Sequence, residues 1–334
     1  MENWLKYKVL LLLSLPFLFS IGSEKESSIK WGFFGHKRIN RIATFSLPPE
    51  MFGFYKEHIE YITEHAVDPD KRRYAVDGES QRHYIDIDHF VKKGEDPFDV
   101  VPRKWKDAVE KFTEDTLQAY GIVPWHINIM KYRLQRAFEN RNVDLILKYS
   151  ADIGHYIGDA HVPLHTTENY NGQMTDQKGI HALWESRLVE INSENYDYFI
   201  GKAKYIKSVH SYIWGAIEQS HYAVDSVLRI EREVTRDFDS DRKYSFEQRG
   251  NRTIPVYSHE FSQEYHKRMN GMVERRLRDA IATVGSFWYT AWVDAGQPDL
   301  SELQNTPPSD ALLKELRELD AHFHNDKNKG RICE

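Results

Sequence analysis

Residues 155–165 read HYIGDAHVPLH. His155 and Asp159 stand four apart, a spacing that puts both side chains on one face of a helix. Pro163 must end that helix, and the turn it imposes lets His165 swing back toward the same space. Downstream, HALWE sets His181 and Glu185 four apart on a second helical stretch. Five groups able to ligate a metal thus fall between residues 155 and 185. Imidazole together with carboxylate suits zinc, with iron or manganese as alternatives. A single His-x-x-x-Asp is ordinarily a surface pair. Two such pairs joined by Pro-x-His, set among Tyr156, Ile157, Leu164 and Trp184, would carry a desolvation cost that a cation offsets.

Upstream stretches add candidates. EHAVDPDKRRY offers Asp68, RHYIDIDHF offers His83, Asp86, Asp88 and His89, and WGFFGH places His36 just after Trp31. Taken singly each is weak: Asp-Pro usually marks a turn, and a lone histidine is usually satisfied locally.

The order WGFFGH, AVDPD, RHYIDID, HYIGDAHVPLH, HALWE resembles the zinc-dependent phospholipase C and S1/P1 nuclease superfamily over residues 31 to about 190. The resemblance implies an exported, mostly helical enzyme with two or three zinc ions. It implies that Asp68, His83, His155 and Asp159 hold one zinc and that His165, His181 and Glu185 hold a second. It implies a third, bridged by Asp159 and bound by His36 and the main chain of Trp31. His58, His65, His89, His126 and His161 match no ligand position, and His161 is expected behind the ligands. One departure is chemical. The family's mature chain begins at the tryptophan, whose amine binds zinc. Here Trp31 follows SSIK, so either a protease trims after Lys30 or the third site is altered, because an amide nitrogen is a poor zinc ligand.

Zinc ions roughly 3.5–4 Å apart favour in-line displacement at phosphorus, with a hydroxide nucleophile available near neutral pH. Phosphodiester hydrolysis follows as the expected reaction, with Asp68 or Asp86 as candidate bases. Glu185, the short spacer between His165 and His181, and VDPD lean toward phospholipase C. WGFFGH and HYIDID lean toward a single-strand nuclease. In that branch Tyr84 would stack a base, Asp86 would read its edge, and ENYNGQ would contribute Asn171. The phospholipase reading leads slightly. A non-catalytic zinc-binding helical protein is the reading from another class. Zincin, adjacent His-Asp and Gly-x-Ser-x-Gly signatures are absent from the sequence, and the paired groups run His to carboxylate rather than as the several Glu-x-x-His pairs of a ferritin-like site.

These groups need elements to hold them. The 334 residues suffice for a large core, and the net charge of −6 gives no sign of a general polyanion binder, so a nucleic-acid partner would have to be held by a local site. The segments at 106–121, 143–161, 181–191, 209–230 and 272–295 carry helical apolar spacing. RHYIDIDHF is the best strand candidate, and FDSDRKYSFEQRGNRTIP reads as a surface loop. The expectation is an all-α protein with one mostly helical phosphoesterase domain at 31–307 and a polar tail at 308–334. Lys6 and Lys8 precede the apolar run Val9 to Phe19, so residues 1–22 read as an export signal and 23–30 as a flexible lead-in. The run is too short for a stable membrane span. Cys333 is the sole cysteine, so no internal disulfide braces the fold and bound metal is a candidate brace.

Overall fold

A computed structural model describes residues 32–249 and 252–331. The expected export segment, the lead-in, Trp31 and Cys333 lie outside these residues. The chain forms one mostly helical domain, as its apolar spacing predicts.

Helix Val143–Ala160 runs through the middle. The Asn142 side chain caps it, accepting from the Leu145 amide at 3.0 Å. From Ser150 to Ala160 every residue is buried, as expected of a helix enclosed on all sides. Helices Phe33–Ala43, Ile59–Glu64, Val123–Glu139, Val209–Asp237 and Met272–Asp294 pack around it. Ser150 ties the layers together. Its hydroxyl meets the Tyr55 hydroxyl at 2.8 Å, and its carbonyl accepts from Trp288 Nε1 at 3.0 Å. The Tyr55 and Trp288 rings stack at 4.9 Å.

Two glycines set how closely helix Phe33–Ala43 approaches. A Cβ on Gly154 would fall 1.9 Å from Asn40 Oδ1, and one on Gly158 would fall 2.9 Å from His36 Nδ1. Asn40 cannot step aside, since its Nδ2 donates to Ile62 and Ala151 carbonyls across the same interface. The HYIGDA stretch therefore needs glycine to bring His36 against His155.

Four local expectations change. The 106–121 segment is two helices, Trp105–Phe112 and Glu114–Tyr120, because Thr113 adopts φ 69° and its hydroxyl caps the second by accepting from the Thr116 amide. RHYIDIDHF is not a strand. It is a short irregular link between 3-10 turns Ser80–Arg82 and Ile87–Phe90. Its amides bond singly to different elements, Ile85 to the His165 carbonyl and Asp86 to the Tyr120 carbonyl. The segment read as a surface loop instead supplies the hairpin Tyr244–Arg249 and Arg252–Tyr257, antiparallel with Phe246 opposite Pro255. The polar stretch after Pro307 contains helix Asp310–Asn325, which docks on helix Asp68–Ala75 through Lys71–Asp320 at 2.7 Å and the Tyr74 and Phe323 rings at 5.2 Å.

The glycine packing has a direct test. Gly154→Ala should lower unfolding free energy by roughly 1–3 kcal/mol through overpacking. Gly215→Ala, whose Cβ would meet nothing within 4 Å in helix Val209–Asp237, should raise it by roughly 0.4–1 kcal/mol. Urea titration of both variants decides; equal effects would remove the steric account.

Candidate metal centre

Helix Val143–Ala160 delivers His155 and Asp159 to its buried end, and the 3-10 turn Pro163–Thr166 brings His165 back beside them. A continuous helical run carries His181 and Glu185, with a π turn over Leu183–Arg187. The wider π turn rotates position i+4 more nearly over position i. His181 Nε2 and Glu185 Oε2 accordingly sit 2.7 Å apart.

Three groups of donors form. In the first, His83 Nδ1 and His155 Nε2 are 3.0 Å apart, and Asp159 Oδ2 lies 3.0 and 3.3 Å from them. Asp70 Oδ1 completes it at 3.8 Å from both imidazole nitrogens. In the second, Glu185 Oε2 lies 3.1 Å from His165 Nε2 and 2.7 Å from His181 Nε2. The third centres on His36 Nε2, which is 3.4 Å from Asp159 Oδ1 and 3.6 Å from Glu185 Oε1. Its ring stacks on His155 at 3.9 Å. Asp159 thus straddles the first and third groups, as the resemblance implies. Glu185 straddles the second and third, which spacing alone could not reveal.

The donor set fits zinc on two counts. Four ligands at about 2.0–2.1 Å in a tetrahedron lie about 3.3 Å from one another, and the first group spans 3.0–3.8 Å. The histidine tautomers are also fixed for it. Nδ1 of His155 donates to the Ala66 carbonyl at 2.9 Å, Nδ1 of His165 to the His83 carbonyl at 2.7 Å, and Nδ1 of His181 to the Tyr170 carbonyl at 3.2 Å. Each ring therefore turns an Nε2 lone pair inward, the arrangement that orients histidine ligands in metal sites.

Electrostatics point the same way. Burial opposes charge on Asp159 and Glu185, yet the facing imidazoles hold both well below the usual carboxylate range. Asp70 is also held low, burial being outweighed by His155, His83 and Arg73. Burial pushes His36 down, but Asp159 and Glu185 prevail and raise it to about 10. Burial keeps His155 and His181 below the usual imidazole range.

Asp68 requires correction. It and Asp70 begin one helix, Asp68–Ala75, where two positions apart means nearly opposite faces. Asp68 pairs with His65 Nδ1 at 2.8 Å and Lys71 Nζ at 3.2 Å, while Asp70 faces His83 and His155. Asp86 is likewise committed: both its oxygens take Arg331 Nη1, at 2.6 and 2.8 Å. Burial, against the pull of Arg331, lifts its pKa to about 6. Asn171 Oδ1 accepts from the Gly179 and His181 amides at 3.0 and 3.4 Å, so it shapes the turn that presents His181. Asp88 accepts from the Thr167 hydroxyl and Glu168 amide. His161 turns to the Ile157 carbonyl at 2.7 Å. Trp31 lies outside the described residues; Gly32 sits beside Glu185, its notional Cβ 3.4 Å from Oε1.

Sequence reasoning missed Glu79. It is fully buried, 3.7 Å from His83 Nε2, and takes Arg82 and the Tyr156 hydroxyl. Its place four before His83 was the available signal.

The helical domain gathers imidazoles and shared carboxylates into three adjoining groups able to hold metal. The S1/P1 nuclease family model matches residues 31–283, and the chain belongs to that family, within the phospholipase C/P1 nuclease superfamily; it is a zinc-dependent phosphoric ester hydrolase. No curated protein matches the chain.

Zinc titration with metal analysis tests the reassigned carboxylate. Asp70→Asn should lose about one zinc equivalent, whereas Asp68→Asn should retain the full complement. Glu79→Gln should keep the stoichiometry and weaken binding by roughly 10–100-fold, as loss of an orienting carboxylate does.

Proposed function

We propose that this protein hydrolyses phosphodiester bonds in single-stranded nucleic acid, and that the nuclease branch replaces the phospholipase C reading favoured from Glu185 and the short spacer. The observation that carries it is a slot beside the metal centre. Tyr84 and Tyr170 both present their rings to one flat group, the Arg331 guanidinium, with centroids 3.8 and 3.7 Å from its carbon. Asp86 offers acceptor oxygens at its edge. A nucleobase is flat, stacks between aromatic rings, and carries edge donors. The family match favours the same branch. Among the described residues no helix is long and apolar enough to cross a membrane.

The slot is rigidly joined to the centre. Tyr84 follows His83, and the carbonyl of Tyr170 holds His181 Nδ1. A base seated there would place its phosphate against the imidazole and carboxylate groups. Zinc ions in those groups would supply Lewis-acid charge to a phosphoryl group and lower the pKa of water. Asp70 takes over the base role first sought at Asp68 or Asp86. It is ionised, and its side chain is 21% exposed where Asp159, in the same group, is 2% exposed. It can therefore accept a proton from water. Export remains part of the proposal, resting on the apolar run after Lys8 and the small residues that follow it.

A side-by-side assay of zinc-loaded protein on single-stranded DNA, RNA and phosphatidylcholine tests the reading. Cleavage of nucleic acid, abolished by chelator and by Asp159→Ala, is expected. Tyr84→Ala should raise KM for nucleic acid by about 5–100-fold, the range for one lost stacking platform. Turnover of phosphatidylcholine alone would sink the proposal.

A further inference from the structure

The group occupying the slot belongs to the chain's own C-terminal segment. Residues 327–331 leave helix Asp310–Asn325 and cross the helix that bears Asp70. The Lys329 amide donates to the Arg73 carbonyl at 2.8 Å, and its Nζ reaches the Ala75 carbonyl and Asp77 Oδ1, both at 3.2 Å. The Arg331 amide donates to Ser80 Oγ at 3.2 Å, and the Arg331 carbonyl accepts from Arg73. Gly330 passes so close that a Cβ would fall 2.2 Å from the Ser80 Cβ. The side chains of Arg331 and Asp86 are each 10% exposed. This is a seated segment with a defined path.

Guanidinium shares its key features with a guanine edge: planarity, delocalised π electrons, and adjacent N–H donors that suit a carboxylate. The two cannot occupy the slot together. We propose that residues 327–331 act as an internal competitor, with Arg331 standing in for the substrate's base and restraining the enzyme until it is displaced. The proposal rests on the nuclease reading for what it restrains. The tether strengthens the competition, since helix Asp310–Asn325 is fastened to helix Asp68–Ala75 and keeps the segment at high effective concentration. Contact with two aromatic rings plus a desolvated carboxylate pair hold the plug, yet nothing covalent does. A base can therefore displace it reversibly, and cleavage after Lys329 would weaken it lastingly.

The test uses full-length, zinc-loaded protein and Arg331→Ala. Steady-state cleavage is measured on a guanine dinucleotide and on the same phosphodiester with abasic sugars. If the plug fills the slot nine-tenths of the time, the variant should lower KM for the guanine substrate about 10-fold. Its kcat should stay within about twofold and the abasic substrate should be unaffected. Hydrogen exchange at the Lys329 and Arg331 amides is followed in the native chain with and without guanosine 5′-monophosphate. Protection that falls on adding the nucleotide supports displacement. An unchanged or raised KM for Arg331→Ala overturns the proposal, because Arg331 would then be a fixed wall of the slot. So would protection indifferent to saturating nucleotide. If neither protein cleaves any phosphodiester, the nuclease reading fails, and the exchange response still decides whether a base and the segment compete.

Discussion

Three carboxylates, Asp70, Asp159 and Glu185, are held ionised inside a protein core. Negative charge in that setting is tolerated only beside positive charge. The chain supplies imidazoles, and the raised pKa of His36 means that a proton there can provide part of the balance. A divalent ion provides it better, since it addresses several carboxylate and imidazole lone pairs at once, and its binding would release such protons. Asp159 and Glu185 each turn one oxygen toward His36 and the other toward a different group. The three groups are therefore one electrostatic unit. Removing a shared carboxylate disturbs two of them.

The fold serves this unit through backbone geometry more than through apolar packing alone. Three histidines lend Nδ1 to main-chain carbonyls of Ala66, His83 and Tyr170, so each ring is positioned by a different segment. The glycines of helix Val143–Ala160 let the helix of His36 come close enough for the His36 and His155 rings to stack. A shift of about an ångström between these helices would leave the donors too far apart for tetrahedral zinc. Core packing around Ser150, Tyr55 and Trp288 supports catalysis in this sense. It fixes helix positions that the donors cannot fix for themselves.

Much of the site was legible because helical spacing is itself geometry. His155 with Asp159, and His181 with Glu185, could be paired from their separation in sequence, and the long helices from their apolar period. The Asp-Pro-Asp run could not be resolved that way. Both acids begin the same helix, and which one faces His83 depends on the rotation of that helix, set by contacts distant in sequence such as Lys71 with Asp320. Glu185's double reach was hidden for a similar reason, since His36 is far away along the chain. The hairpin was obscured by its charge: Glu247 and its neighbours resemble loop composition until strand pairing is seen. Helix Asp310–Asn325 is mostly exposed, so its polarity resembled a tail, and its few anchoring contacts lie on helix Asp68–Ala75.

The most instructive mismatch is RHYIDIDHF. Its alternation is real, but its backbone is not that of a strand: His83 is helical at φ −93°, ψ −15°, Asp86 turns at φ −78°, ψ 71°, and no neighbouring strand explains the pattern. Ile85 and Ile87 are fully buried in the core. Tyr84 and Asp86, on the other side of the chain, meet Arg331. His83, at the start of the alternation, joins the metal centre. Period two here separates core from slot rather than core from solvent. One short segment consequently joins a donor of the candidate metal centre to the two residues of the proposed base slot. Under the proposed function, occupancy of the slot, by a nucleotide or by the chain's own arginine, would therefore bear directly on access to the chemistry beside it.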